Sequence, residues 1–252
     1  MILLTNDDGI DADGLKKLLV EVRKISSVMV VAPNKECSGC SHSISLARKS
    51  TPKEVSPENG CRRFVVEGTP SDCVSAAFEH FGIEQFSVVV SGINPGANVG
   101  LDIYYSGTVA GAVESALLGV PGIAISIDCP RSTRAPAHYE TAAKYAVDFA
   151  KLFLQMEKRL PLALNINVPD VAQSHIRGLL YTVQSLRETE EKYPDDVLRD
   201  IFSPDRQKYP TDKEALLAKM VSVTPLGLDF TSYGMLKVIE EWTGKVWARK
   251  ES

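Results

Sequence analysis

Residues 1–9 read Met1-Ile2-Leu3-Leu4-Thr5-Asn6-Asp7-Asp8-Gly9. An apolar run that opens at the first residue reads as a strand buried on both faces. Asn6 to Gly9 is a cluster of turn formers. Beyond it, Leu15, Leu18, Leu19 and Val22 recur at i, i+3, i+4 and i+7, one face of a helix. Val28 to Ala32 is a second apolar run, stopped by Pro33. Strand, helix, strand in that order predicts a right-handed βαβ unit in a parallel sheet.

The pattern continues downstream. Residues 33–60 are rich in loop formers, with Ser43 to Leu46 as a short strand inside them, and Phe64 to Val66 reads as another strand. Thr69-Pro70-Ser71-Asp72 opens a helix: Thr69 at the N-cap, Pro70 at the first position and Asp72 in capping-box placement, with Gly82 ending it after Phe81. Ser87 to Val90 is the next buried strand, followed by a loop from Ser91 to Asn98. Thr108 to Leu118 is an Ala-rich helix stopped by Gly119 and Pro121. Ile123 to Ile127 is a strand. Ala142, Ala146, Phe149, Ala150 and Phe153 mark a long helix, and Leu162 to Val168 is a strand of alternating pattern. Residues 186–215 are highly charged, poor in apolar side chains and interrupted by prolines, which predicts an exposed arm or loop. A strand at Val221 to Leu226 and an amphipathic helix from Tyr233 to Trp242 close the chain.

Composition narrows the partners. With 252 residues, 44% of them hydrophobic and 24% charged, the chain can build one large α/β domain, alone or with an appendage. The net charge of -4 and the pI of about 5.7 supply no basic field for a nucleic-acid polymer. An anionic substrate would need help from a metal or from backbone N–H groups. No basic, apolar leader opens the chain, and no window approaches the roughly 20 apolar residues of a membrane span. Five scattered cysteines fit reduced thiols, so the expected location is cytoplasmic and no membrane partner is expected.

Ligands of an open parallel sheet bind beyond the carboxyl ends of its strands. Three loops at such ends carry unusual residues: Asp7-Asp8, the stretch around Ser38, and Asn94 with Asn98. Adjacent carboxylates repel each other, and a divalent cation relieves that. Carboxylate, hydroxyl and amide oxygens suit Mg²⁺, Mn²⁺ or Ca²⁺. The bland alternative is a turn that caps the next helix. Tyr105-Ser106-Gly107-Thr108 precedes an Ala-rich helix, so it reads either as a phosphate site or as plain capping by Ser106 or Thr108. It has no Lys and is not a Walker A loop. Cys37-x-x-Cys40 invites a redox or zinc reading, but no second pair accompanies it. His42 reads as a general acid or as a hydrogen-bonded loop residue, and Asp72 as a cap.

Seven segments occur in the order of one family: "ILLTNDDGI", "VVAPNKECSGCSHS", "EGTPSDCV", "VSGINPGANVG", "YYSGTVAGAVESALLGVPGIAIS", "LNINVP" and "VSVTPL". Together they cover most of residues 1–169 and a short C-terminal patch. The chain resembles the SurE (survival protein E) family of 5′-nucleotidases. The resemblance implies a Rossmann-like, mostly parallel sheet with helices on both faces. It implies one divalent metal ion per subunit (Mg, Mn or similar) on Asp7, Asp8, Ser38 and Asn94. Phosphate binding falls on Asn94, Ser106, Gly107 and Thr108, and Asp8 is the catalytic candidate. Residues 1–185 would form the core. Residues 186–252 would form an extended C-terminal arm joining a homodimer or homotetramer. The sequence departs from the family at Cys37 and Cys40, and at Asn34, where an Asp is common.

The activity so implied is release of phosphate from nucleoside 5′-monophosphates. Two alternatives stay open: a nucleotide-binding module without turnover, and action mainly on polyphosphate. An aspartyl-phosphate mechanism of the haloacid-dehalogenase kind needs Asp-x-Asp, whereas these aspartates are adjacent.

Overall fold

The computed structural model describes residues 1–46, 51–130, 136–186 and 204–244, and leaves the side chains at 204, 205 and 244 aside. The opening run forms β1 (Ile2–Thr5), fully buried. Because side chains alternate along a strand, Ile2 and Leu4 join one core while Leu3 joins another on the opposite face. The first core holds α1 (Asp13–Val22) and α4 (Tyr139–Leu154); the second holds α2 (Pro70–Phe81). The predicted stripe on α1 is the buried one: Leu15, Leu18, Leu19 and Val22. Each such side chain contributes about 1.5–3 kcal/mol on burial. A third, smaller cluster seats α3 (Gly107–Leu117) through Val109 and Ala112 against Ala124.

The remaining strands are β2 (Val28–Pro33), β3 (Lys53–Glu58), β4 (Cys61–Val66), β5 (Val88–Pro95), β6 (Gly122–Asp128), β7 (Ala163–Pro169), β8 (Leu179–Tyr181) and β9 (Val221–Leu226). The sheet runs β3-β4-β2-β1-β5-β6-β7-β9-β8. From β4 to β7 neighbours are parallel, whereas β3 is antiparallel to β4 and β9 to β7. This is the predicted α/β architecture: a mostly parallel sheet with helices on both faces.

Several expectations are corrected. Residues 53–58 are not loop but the strand β3. Its hairpin with β4 turns at Asn59 and Gly60, whose φ values of 52° and 74° suit a tight two-residue turn. Ser43 to Leu46 form no strand. Instead Ser43 O accepts from Thr69 Oγ1, and Ser45 donates from N and Oγ to Asp72, so side chains of α2's first turn replace a ladder. The strand expected to stop at Val90 runs on to Pro95.

Part of the segment expected as an exposed arm is packed. Residues 187–203 lie outside the described residues. After them α5 (Asp212–Leu217) buries Asp212, Ala215 and Leu216 and lies on β9 and β7. The Asp212 carboxylate accepts from the N–H groups of Gly100, Ser185 and Lys213, which fastens α5 to the loop after β5. β9 lies inside the sheet, between β7 and β8. The last helix, α6 (Tyr233–Gly244), forms as predicted, with Tyr233, Leu236, Ile239 and Trp242 exposed.

Candidate active site

The chain leaves β1 outward through β2 and β4, then returns to β5 on the other side of β1. Ligands of open α/β sheets sit where strand order reverses in this way. A cleft of about 320 Å³ lies there. Asp7, Ser38, Asn94, Asn98, Asp102, Tyr105 and Ser106 are among its walls. Four predicted site residues, from four separate segments, are therefore brought together. Asp8 is half-buried on the same turn as Asp7 but is not among the walls. Gly107 and Thr108 are buried at the start of α3 and do not wall the cleft either.

The turn after β1 is closed by Asn6, whose Nδ2 donates to Gly9 O at 2.9 Å while its Oδ1 accepts from Gly9 N at 3.2 Å. Gly9 has φ +104°, a conformation open to glycine. Asp7 is thereby held at the sheet end, only 3% exposed. Its peptide oxygen accepts from Cys37 N at 2.8 Å, which draws the Ser38 loop over β1. Its carboxylate accepts from Thr108 Oγ1 at 2.6 Å. A Cβ on Gly107 would meet Cys40 Sγ at 2.7 Å and Asp7 Cβ at 2.9 Å, so glycine alone lets α3 come this close.

Asn94 owes its place to a register shift in β5. Gly92 pairs with Ile125 and Asn94 with Ser126, leaving Ile93 as the extra residue. The Asn94 Nδ2 donates to Gly96 O at 2.6 Å, which fixes the amide and leaves its oxygen as an acceptor. Asn98 is clamped from β6 and β7. Its N–H donates to Asn167 Oδ1 and its Nδ2 to Ser126 Oγ, while its carbonyl accepts from Asn165 and Asn167.

Ser106 is the N-cap of α3, its Oγ accepting from Val109 N at 3.1 Å. The capping alternative thus holds for Ser106, while the Thr108 hydroxyl serves Asp7. The N–H groups of a helix's first turn have no partner within the helix and carry partial positive charge. Among the described walls none is Lys, Arg or His, whereas Asp7 and Asp102 are acidic. A phosphate placed here would meet carboxylates and no side-chain cation. A divalent cation removes that repulsion, and the donor set of carboxylates, hydroxyl and fixed amide oxygen suits a hard ion. No cluster of three His, Cys, Asp or Glu forms among the described residues, so the neutral oxygens of Ser38 and Asn94 would be needed.

Asp72 caps α2 as expected and also holds Ser45. His42 is a hydrogen-bonded loop residue: its Nε2 lies 2.7 Å from Glu114 Oε2, and Ser75 Oγ donates to Oε1. Burial opposes the Glu114 carboxylate, yet the bonds from His42 and Ser75 hold its pKa below the ordinary value. The neighbouring Cys40 sulfur and burial push the Cys37 thiol up, and Cys37 in turn draws Cys40 down. Sequence reading missed Asp102 as a wall residue. Its only signal was position, a few residues before the Ser106 cap.

The family model for survival protein SurE matches residues 2–191. The chain is similar to a crystal structure of SurE protein from Aquifex aeolicus, at 31% identity and a TM-score of 0.75, covering 96% of this chain and 98% of that one. With a match over most of its length and the fold in agreement, this chain belongs to the survival protein SurE family.

Proposed function

We propose that this chain is a phosphomonoester hydrolase that releases phosphate from nucleoside 5′-monophosphates, using one divalent cation held by Asp7, Asp8, Ser38 and Asn94. Family membership supports a phosphatase or nucleotidase role. The observation that supports the finer reading is that Asp7 and Ser106, the N-cap of α3, wall one acidic cleft, with Thr108 of α3 bonded to the Asp7 carboxylate behind it. A helix N-terminus invites an anion, and carboxylates beside it repel one unless a cation lies between.

Such a cation would supply Lewis acidity and lower the pKa of a nearby water. The chain's own groups do the rest. The N–H groups at the start of α3, with the Ser106 hydroxyl, receive the phosphoryl oxygens and balance their growing charge. Asp8 orients the attacking water and takes its proton. The water oxygen bonds to phosphorus as the bond to the 5′ oxygen breaks, the proton taken by Asp8 passes to that oxygen, and nucleoside and phosphate separate. Tyr105, 63% exposed on the cleft wall, offers a ring for the base; base–aromatic stacking contributes about 1–3 kcal/mol.

Cytoplasmic location and self-association belong to the same proposal. All five cysteines are thiols, and among the described residues no helix is long and apolar enough to cross a membrane. Residues 186–252 are proposed to join copies of the chain as a homodimer or homotetramer.

The test is phosphate release from AMP and GMP with Mn²⁺. Activity should vanish with EDTA and in Asp8→Ala, while the Asp8→Ala melting temperature stays near wild type. Full turnover by Asp8→Ala, or AMP binding with no release by the wild type, would refute the proposal.

A further inference from the structure

Cys37 and Cys40 are absorbed by no part of the proposed chemistry, yet they bracket Ser38 in the wall of the cleft. Ser38 and Gly39 are the two central residues of a turn, and Gly39 has φ +74°, as the third position of a type II turn requires. A β-turn holds its first and fourth Cα atoms within about 7 Å, and disulfides span Cα separations of about 4.4–6.8 Å. Both residues are partly exposed, so an oxidant can reach them, whereas Cys73 and Cys129 are buried. Cys61 sits on β4, where its Sγ meets Asn59 O.

The pair also touches both sides of the site. Cys37 Sγ donates to Asp7 O at 3.5 Å. Cys40 Sγ lies 2.7 Å from where a Cβ of Gly107 would stand, against the first residue of α3. A change in the turn therefore reaches Asp7, Ser38 and the helix N-terminus together.

We propose that Cys37 and Cys40 are a peroxide-reactive dithiol whose reversible disulfide reshapes the Ser38 turn and weakens cation binding in the cleft. One sulfur attacks a peroxide oxygen, giving a sulfenic acid and water. The second sulfur attacks the first, the S–S bond forms, and the sulfenic oxygen leaves as a second water. The protein loses two hydrogens and two electrons; both peroxide oxygens end in water. Contraction to an S–S bond removes the Cys37 thiol hydrogen from Asp7 O and moves Ser38 with the turn. Loss of such outer support weakens metal affinity by about 10–100-fold. The effect on cation binding rests on the proposed function; formation of the disulfide does not.

The test uses the whole chain, reduced and then treated with hydrogen peroxide. Trypsin releases residues 36–48, whose only cysteines are Cys37 and Cys40. That peptide should lose the mass of two hydrogens and regain it with dithiothreitol. Calorimetry with Mn²⁺ should show affinity at least about tenfold weaker in the oxidised protein, and no response to peroxide in Cys40→Ser. A Cys40–Cys73 crosslink, prior oxidation of Cys61, or a Cys37–Cys40 disulfide with unchanged Mn²⁺ affinity would overturn the proposal. If the reduced protein binds no Mn²⁺, the metal reading fails instead. Hydrogen exchange at the Cys37 amide, which bonds Asp7 O, then decides. Altered protection on oxidation supports the proposal and unaltered protection ends it.

Discussion

Thr108 Oγ1 donates a 2.6 Å hydrogen bond to Asp7 Oδ1, joining the first turn of α3 to the end of β1 across 101 residues of chain. Both groups are buried, so the bond orients the Asp7 carboxylate. Thr108→Val keeps the shape and removes the donor. A buried acceptor left without its partner costs about 1–3 kcal/mol. Urea unfolding should show a loss in that range. Phosphate release at saturating Mn²⁺ should fall about tenfold or more. Unchanged turnover would separate Asp7 orientation from function.

Asn94 lies at the end of β5, just before a loop held by Asn98, and Asn98 depends on Asn167. Asn167 is fully buried, its Oδ1 accepting from Asn98 N at 2.8 Å and its Nδ2 donating to Asn98 O at 3.1 Å. Asn167→Leu strips one partner from each backbone group. The expected loss is at least about 2 kcal/mol, with weaker Mn²⁺ binding from a displaced Asn94. Calorimetry and urea unfolding on the same protein check both.

The tie between the His42 loop and α3 should fail in acid. The folded-state pKa of Glu114 is depressed relative to its ordinary 4.5. A depressed carboxylate contributes stability that is present above the unfolded pKa and lost as pH falls through the folded one. Wild type should therefore exceed Glu114→Gln in stability near neutral pH, and the gap should close below about 4.5. Unfolding curves over that range test it; a gap independent of pH would assign the tie to packing.

α6 presents Tyr233, Leu236, Ile239 and Trp242 at three-residue spacing, exposed by 69%, 49%, 45% and 63%. A helical stripe of that kind is expected to pack on something, and the proposed arm gives it a second copy of the chain. Light scattering on Leu236→Glu/Trp242→Glu should then report a mass approaching the 27.5 kDa monomer, against a multiple of it for wild type. Equal masses would place the contact elsewhere.

Local sequence chemistry decided much of this protein. The run Ile2 to Thr5, the stripe on α1 and the Thr69 capping box specify their elements within a few residues, because each uses only neighbouring backbone and side chains. Two equally local signals went unread. Asn59-Gly60 announces the β3–β4 hairpin, and Thr211 with Glu214 forms the capping box of α5, a helix of only 6 residues lost in a charged stretch. The site residues Asp7, Ser38, Asn94 and Ser106 were legible through the ordered motifs of a family.

What the sequence could not carry is anything set by partners distant along the chain. The alternation of Leu164 to Asn167 suggests a half-wet strand, yet Asn165 and Asn167 are wholly buried, because Asn98 arrives to satisfy them. Thr108 reads as a cap or a phosphate contact until folding places Asp7 beside it. Residues 212–215 read as part of an exposed arm until the Gly100 N–H met Asp212. A buried polar group is stable only with its partner, and the partner is supplied by the topology of the whole sheet.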